Sequence, residues 1–158
     1  MSSANSTEIE KPEGSSPVYE FEKSLSDSIS KKFSNVEIVY VKQNRTRVNV
    51  KKEEIIDVAS FIRDELQFDH AESVSGVDYP EDKQIEVVYN LGSYTDPLLS
   101  KQILALATRT PREDVPHPGN DNTKLPSLRD VFPSVSFHER ECFEMLGVYF
   151  DGHPDNRR

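Results

Sequence analysis

From Val18 onward the apolar positions follow two rhythms that alternate along the chain. Phe21, Leu25, Ile29 and Phe33 recur every fourth residue, a spacing that lines up one stripe of an amphipathic helix. In VEIVYVK the rhythm shortens: Val36, Ile38 and Tyr40 alternate with Glu37, Val39 and Val41, as on a strand whose successive side chains point to opposite faces. Gln43, Asn44 and Arg45 then supply a turn, and TRVNVK returns as the second strand of a hairpin with Thr46, Val48 and Val50 on one face.

The longer rhythm resumes in KEEIIDVASFIRDEL. Ile55, Val58, Ala59, Ile62 and Leu66 point inward, while Glu53 and Glu54 suit the positive end of a helix dipole. HAESVSGVDYP is a weak strand ending at Pro80, and KQIEVVYNLGSY is a strong one carrying Ile85, Val87, Tyr89 and Leu91 on one side. ILALATRTP fits helix or strand by periodicity alone; Thr108, Thr110 and Pro111 close it in the manner of a sheet edge, which favours a strand. Helix, two strands, helix, three strands is the order of an α+β two-layer sandwich, with helices on one face of a mostly antiparallel sheet. The chain contains no internal repeat.

Both flanks of this unit differ in character. Residues 1–17 are Ser, Glu, Pro and Gly with scarcely an apolar side chain, the composition of a disordered tail. The α+β domain spans 18–111, and 112–158 forms an extended, proline-rich segment followed by a helix–turn docking motif. Within that motif Ser136 and Glu139 have the spacing of a capping box, and the helix carries HERECFEML until Gly147 ends it. Cys142, Phe143, Met145 and Leu146 make its apolar side, with Glu139, Arg140, Glu141 and Glu144 polar.

Composition narrows the function. A formal net charge of -9 and a pI near 4.9 oppose binding to nucleic acid or anionic lipid, both of which need a surplus of Lys and Arg. No apolar run approaches the roughly 20 residues that span a bilayer, and the N-terminal residues lack the basic-then-apolar order of a secretory signal. The chain therefore reads as soluble and cytoplasmic, with any membrane association made through partners. Cys142 is the only cysteine, which excludes an intramolecular disulfide and a thiolate cluster for iron–sulfur or structural zinc. The sequons at Asn5 and Asn44 are then expected to be unused.

The run SFHERECFEMLGVYFDGHPDNRR concentrates whatever chemistry the chain carries. His138 and Cys142 stand one helical turn apart, a spacing able to hold zinc or to let an imidazole activate a thiol. A third ligand would have to come from His153, His117 or a carboxylate without recognisable spacing, and a lone cysteine is more often a small hydrophobe. HEREC begins like the zinc-protease helix H-E-x-x-H and fails at its second histidine, where Cys142 stands. Glu139, Glu141 and Glu144 read as a solvated face rather than general acids, and an Arg140–Glu144 pair at this spacing is worth only about 0.2–0.5 kcal/mol. No nucleophile elbow, P-loop or G-x-G-x-x-G is present. What remains is density: Arg140, Arg157 and Arg158 beside glutamates, histidines and aromatics, the residue types enriched at interface centres.

HERECFEMLGVYFDGHPDNRR resembles the signature of the small hydrophilic, or 30-kilodalton, subunit family of complex I, at Glu139, Arg140, Glu141, Phe143, Glu144, Met145, Gly147, Val148, Phe150, Gly152, His153, Pro154, Asp155, Arg157 and Arg158. LPSLRDVFPSVSFHERE looks like that family's entry into the motif, with Phe137 where Trp is usual and Asn156 where Leu is usual. The resemblance implies a cofactor-free subunit of the peripheral arm of a membrane-bound dehydrogenase, non-catalytic by itself, with iron–sulfur clusters in neighbouring subunits. It would sit on the cytoplasmic side of the membrane, docked on the large catalytic subunit and near the small iron–sulfur subunit. Glu139, Arg140, Glu141, Glu144, Gly147, His153, Pro154, Arg157 and Arg158 would form its partner-binding surface. The acidic composition and short C-terminal end lean toward an archaeal F420H2-type complex, with NADH or ferredoxin as donor also open. A related membrane-bound hydrogenase subunit and a free-standing thiol or metal enzyme built on Cys142 and His138 are the alternatives.

Overall fold

The computed structural model describes residues 20–113 and 122–156; the expected tail, His117, Arg157 and Arg158 lie outside them. Helix α1 (Glu20–Lys32) leads into the hairpin β1 (Glu37–Lys42) and β2 (Arg45–Asn49), then α2 (Ile55–Asp64), β3 (His70–Tyr79), β4 (Gln84–Gly92) and β5 (Ile103–Pro111). A second, two-stranded parallel sheet joins β6 (Lys124–Pro126) to β7 (Tyr149–Asp151), with α3 (Ser136–Leu146) between them in sequence. The α+β class and the order of elements follow the sequence reading.

Pairing in the main sheet runs β1-β2-β5-β4-β3. Register places Val48, Leu106, Tyr89 and Val74 in one row and Leu104, Leu91 and Ala71 in the next, all on the same face. Against this face lie Leu25 and Ile29 of α1 and Ile55, Val58, Ala59 and Ile62 of α2, every one buried. The α2 stripe is the one read from sequence. The α1 stripe starts later: Phe21 is 40% exposed, and the buried positions of its turn are Glu22 and Ser26.

Glu22 explains that shift. Its carboxylate accepts hydrogen bonds from Gln102 Nε2 at 3.0 Å and from the Asn44 amide at 2.8 Å, pinning α1 to the hairpin turn. Burial alone would raise its pKa, but these donors win and hold it below the usual carboxylate range. Asn44 itself sits at φ 59, a left-handed conformation that asparagine tolerates better than most residues.

One strand differs from expectation. β5 is not an edge strand but the middle of the sheet, bonded to β2 in parallel and to β4 antiparallel. Its threonines are interior residues, Thr108 at 2% and Thr110 at 1% exposed. A run free of charge until Arg109 suits a site covered on both edges, and the parallel pairing arises because β3 and β4 intervene between β2 and β5.

The described part of the segment after β5, from residue 122, is tied to the sheet. Thr110 Oγ1 lies 3.1 Å and 3.0 Å from the carbonyl oxygens of Asn122 and Lys124, and Leu125, Leu128, Phe132, Val135, Val148 and Phe150 join the same buried core as the sheet. α3 thus crosses β3 on the covered face. Gly76 permits the close approach, since a Cβ there would collide with Leu146 Cδ1 and lie 3.6 Å from Cys142 Sγ. Gly76→Val should therefore lower unfolding stability by about 1–3 kcal/mol in urea titration, and Leu146→Ala should relieve part of that loss in the double variant. Additive losses would show that Gly76 and Leu146 do not compete for one space.

Candidate docking site

α3 starts from a 3-10 turn at Pro133–Val135, and its N-cap position is Val135, with no side-chain cap. The expected capping box does not form, because both of its members are engaged elsewhere. Ser136 Oγ lies 3.2 Å from His153 Nε2. Glu139 turns inward and is fully buried.

Three groups converge on the Glu139 carboxylate. Oε1 accepts from the Leu128 amide at 2.9 Å and from the Tyr89 hydroxyl at 3.1 Å, and Oε2 accepts from Ser127 Oγ at 2.5 Å. One side chain of α3 thereby binds the central sheet, through β4, and the segment leading into the helix. Burial pushes the Glu139 carboxyl up despite these donors. The same desolvation, followed by the charge of Glu139, raises Tyr89 well above its ordinary value.

The end of the helix is set by its last turn and the chain beyond. Gly147 adopts φ 74, a left-handed C-cap, and donates its amide to Phe143 O at 3.0 Å. His153 is buried at 7%. Its Nε2 lies 3.0 Å from Ser136 O and its Nδ1 accepts from the Asp155 amide at 3.1 Å, which assigns the proton to Nε2. Asn156 Nδ2 donates to Phe150 O and His153 O, closing the final bend. Arg140, about one-third exposed, lies 3.7 Å from Asp155.

The partner-facing set read from sequence therefore divides. Glu139, Gly147 and His153 are interior and hold the motif together. Glu141, Glu144 and Pro154 are exposed, with Glu141 3.8 Å from His138 Nδ1. Met145, placed on the apolar side by sequence, is 82% exposed, and Phe137 is 76% exposed. On the helix Glu139 shares a stripe with Cys142, Phe143 and Leu146, while Phe137 shares one with Glu141, Glu144 and Met145. The outer stripe is thus two large apolar side chains flanking two carboxylates.

Cys142 is buried against β3, and burial followed by the charges of Glu139 and Glu141 pushes its thiol up to about 11. That is opposite to the activation a nucleophile needs. Among the described residues no three His, Cys, Asp or Glu are grouped to hold a metal ion. A cleft of about 670 Å³ opens at one end of the sheet among Asn35, Glu37, Lys51, Lys52, Glu86 and Arg109, and α3 does not line it.

A family model described as respiratory-chain NADH dehydrogenase, 30 Kd subunit, matches residues 48–158. The chain belongs to this family. Among curated members of the 30 Kd subunit family, an F(420)H(2) dehydrogenase subunit from Methanosarcina mazei is 36% identical over 111 residues, covering 70% of this chain and 63% of that one. An NADH-quinone oxidoreductase subunit from Roseiflexus sp. is 39% identical over 110 residues, covering 68% and 56%. The chain spans between 44% and 63% of the length of curated relatives such as these. A chain from the membrane-bound sulfane sulfur reductase, an archaeal respiratory membrane complex, superposes with TM-score 0.72 at 25% identity, covering 85% of this chain and 72% of that one. The trypsin-resistant fragment of Nqo5 shares the fold with TM-score 0.63 at 24% identity, covering 85% and 98%.

An acid whose pKa is raised by folding stabilises the fold below its unfolded value, near 4.5 for glutamate, and that contribution is lost as pH rises through the folded value. The stability advantage of the wild type over Glu139→Gln should therefore shrink as urea titrations move from about pH 4 to 8, because only the wild type ionises there. A gap that widens with pH would mean that the donors outweigh burial. For Cys142, a disulfide reagent near neutral pH should react slowly with the folded chain and rapidly once it is denatured; fast native reaction would contradict the elevated thiol.

Proposed function

We propose that this chain is a cofactor-free, non-catalytic subunit of the peripheral arm of a membrane-bound, complex I-like dehydrogenase. The complex would carry electrons from NADH or reduced F420 to a quinone or methanophenazine-type acceptor, coupled to ion translocation. Its relatives are named as subunits of NADH-quinone oxidoreductase and F(420)H(2) dehydrogenase, and the chain takes the corresponding place. Among the described residues no helix is long and apolar enough to cross a membrane, and in this reading partner subunits hold the chain on the cytoplasmic side. Iron–sulfur clusters reside in those neighbours.

The observation that carries this reading is the division of α3. Its inner stripe is anchored by a buried carboxylate with three donors, and its outer stripe presents Phe137, Glu141, Glu144 and Met145 on that fixed frame. Large apolar side chains on a rigid element are what an interface centre uses, because little entropy remains to be lost on binding. The helix docks on the large catalytic subunit. Glu141 and Glu144 pair there with basic groups, and Arg140, Pro154, Arg157 and Arg158 extend the contact. Glu139, Gly147 and His153 act by holding this surface in place.

The test is a tagged chain carrying Glu141→Lys and Met145→Glu, expressed in the encoding organism in place of the wild type. Intact complex and donor oxidation in membranes should fall at least about tenfold, in line with loss of central interface contacts, while the unfolding midpoint of the purified chain stays unchanged. Wild-type amounts of complex in this variant would overturn the assignment of α3.

A further inference from the structure

A second exposed apolar feature lies outside α3, on the connection between β4 and β5. Tyr94 is 80% and Leu98 73% exposed, yet the backbone that carries them is bound closely. The Asp69 carboxylate accepts from the Tyr94 amide at 3.1 Å, the Thr95 amide at 3.2 Å, Thr95 Oγ1 at 2.8 Å and Ser93 Oγ at 3.2 Å. Asp96 Oδ1 accepts from the Leu98 amide at 2.8 Å. His70, itself buried and 2.7 Å from Asp69, stacks flat under the Tyr94 ring at 3.5 Å between centroids. These donors hold the Asp69 carboxyl far below its usual range although burial alone would raise it.

The network anchors buried Ser93 and His70 and at the same time presents Tyr94 and Leu98 to solvent. A single exposed leucine requires no explanation. An aromatic and a leucine presented together on a pre-ordered corner differ, because the conformational cost of binding is already met in the free chain. The corner also has a definite charge. Asp69 and Asp96 carry its backbone, and Glu72 lies 3.8 Å from His70 Nε2 beneath it. It borders the start of α3, for Ala71 exchanges two hydrogen bonds with Ser134 Oγ, at 3.1 Å and 2.9 Å, and Phe137 follows three residues later.

We infer that Tyr94 and Leu98 form a second docking knuckle, which inserts into an apolar socket rimmed by Lys and Arg on the same partner subunit that receives α3. This rests on the peripheral-arm reading above and extends the contact beyond α3. The carboxylates around the knuckle select a cationic rim, and Tyr94 and Leu98 supply the buried centre.

A photo-reactive phenylalanine analogue placed at position 94, and separately at 137, in the full tagged chain tests this in the encoding organism. Both positions should cross-link to one subunit of the complex, and the position-94 product should map to an apolar peptide flanked by Lys or Arg. Tyr94→Ser with Leu98→Ser should reduce recovered complex at least about tenfold, more at high salt than at low, with the unfolding midpoint of the purified chain unchanged. Cross-linking at 137 but not at 94, with normal assembly of the double variant, would overturn the knuckle and leave the peripheral-arm reading standing. A cross-link from 94 to an acidic peptide, or to a second copy of this chain, would also overturn it. A wild-type chain recovered without any membrane-complex subunit would sink the functional reading and the knuckle with it.

Discussion

A single buried carboxylate connects the parts of this molecule that matter for its use. Glu139 has no exposed surface, and its oxygens are taken by Tyr89 from the sheet, Ser127 and Leu128 from the incoming segment. A buried carboxylate is tolerable only when its acceptor sites are filled, so the three donors and the acid constrain one another. Because Glu139 belongs to α3, the whole helix inherits that constraint. Its outer face is then fixed relative to the sheet with few adjustable torsions.

Among the described residues the helices cover one side of the sheet. Every helix packs on the face bearing Val48, Tyr89, Leu91, Leu104 and Leu106. On the other face Glu86, only 1% exposed, is bridged by Arg47 at 2.6 Å and Arg109 at 2.9 Å, with Ala105 and Ala107 in the rows beside them. The two guanidiniums satisfy the carboxylate, and that of Arg109 also lies over the Tyr79 ring. The most exposed large apolar side chains among the described residues lie elsewhere, at Tyr94 and Leu98 between β4 and β5 and at Phe137 and Met145 of α3.

This distribution suits a protein whose contribution is position. Burial raises the buried acid of α3, burial with the charges of Glu139 and Glu141 raises its thiol, and Ser136, Glu139 and His153 are occupied in holding the motif together. What faces outward is a set of apolar side chains among carboxylates, mounted on elements whose hydrogen bonds are already made. Surfaces mounted in this way do not need to reorganise on contact.

Much of this was present in the residue pattern. Two helices, the β1–β2 hairpin, strands β3 to β5, the stop at Gly147 and the membership signalled by the C-terminal motif all depend on neighbours close in the chain, which periodicity and turn chemistry report directly. The central position of β5 was not legible, because it depends on hydrogen bonds to β2 and β4 rather than on the composition of β5 alone. Nor was the inward turn of Glu139: its donors come from residues 11, 12 and 50 positions away, and a charged residue on a helix reads as solvated until those donors are known. The outward placement of Met145 and the locking of Tyr94 by Asp69 are of the same kind. Which elements form, and which family motif they carry, follow from local spacing along the chain. Tertiary structure alone decided which polar groups are buried and which apolar ones are presented, since desolvation and hydrogen-bond satisfaction exist only once distant segments meet.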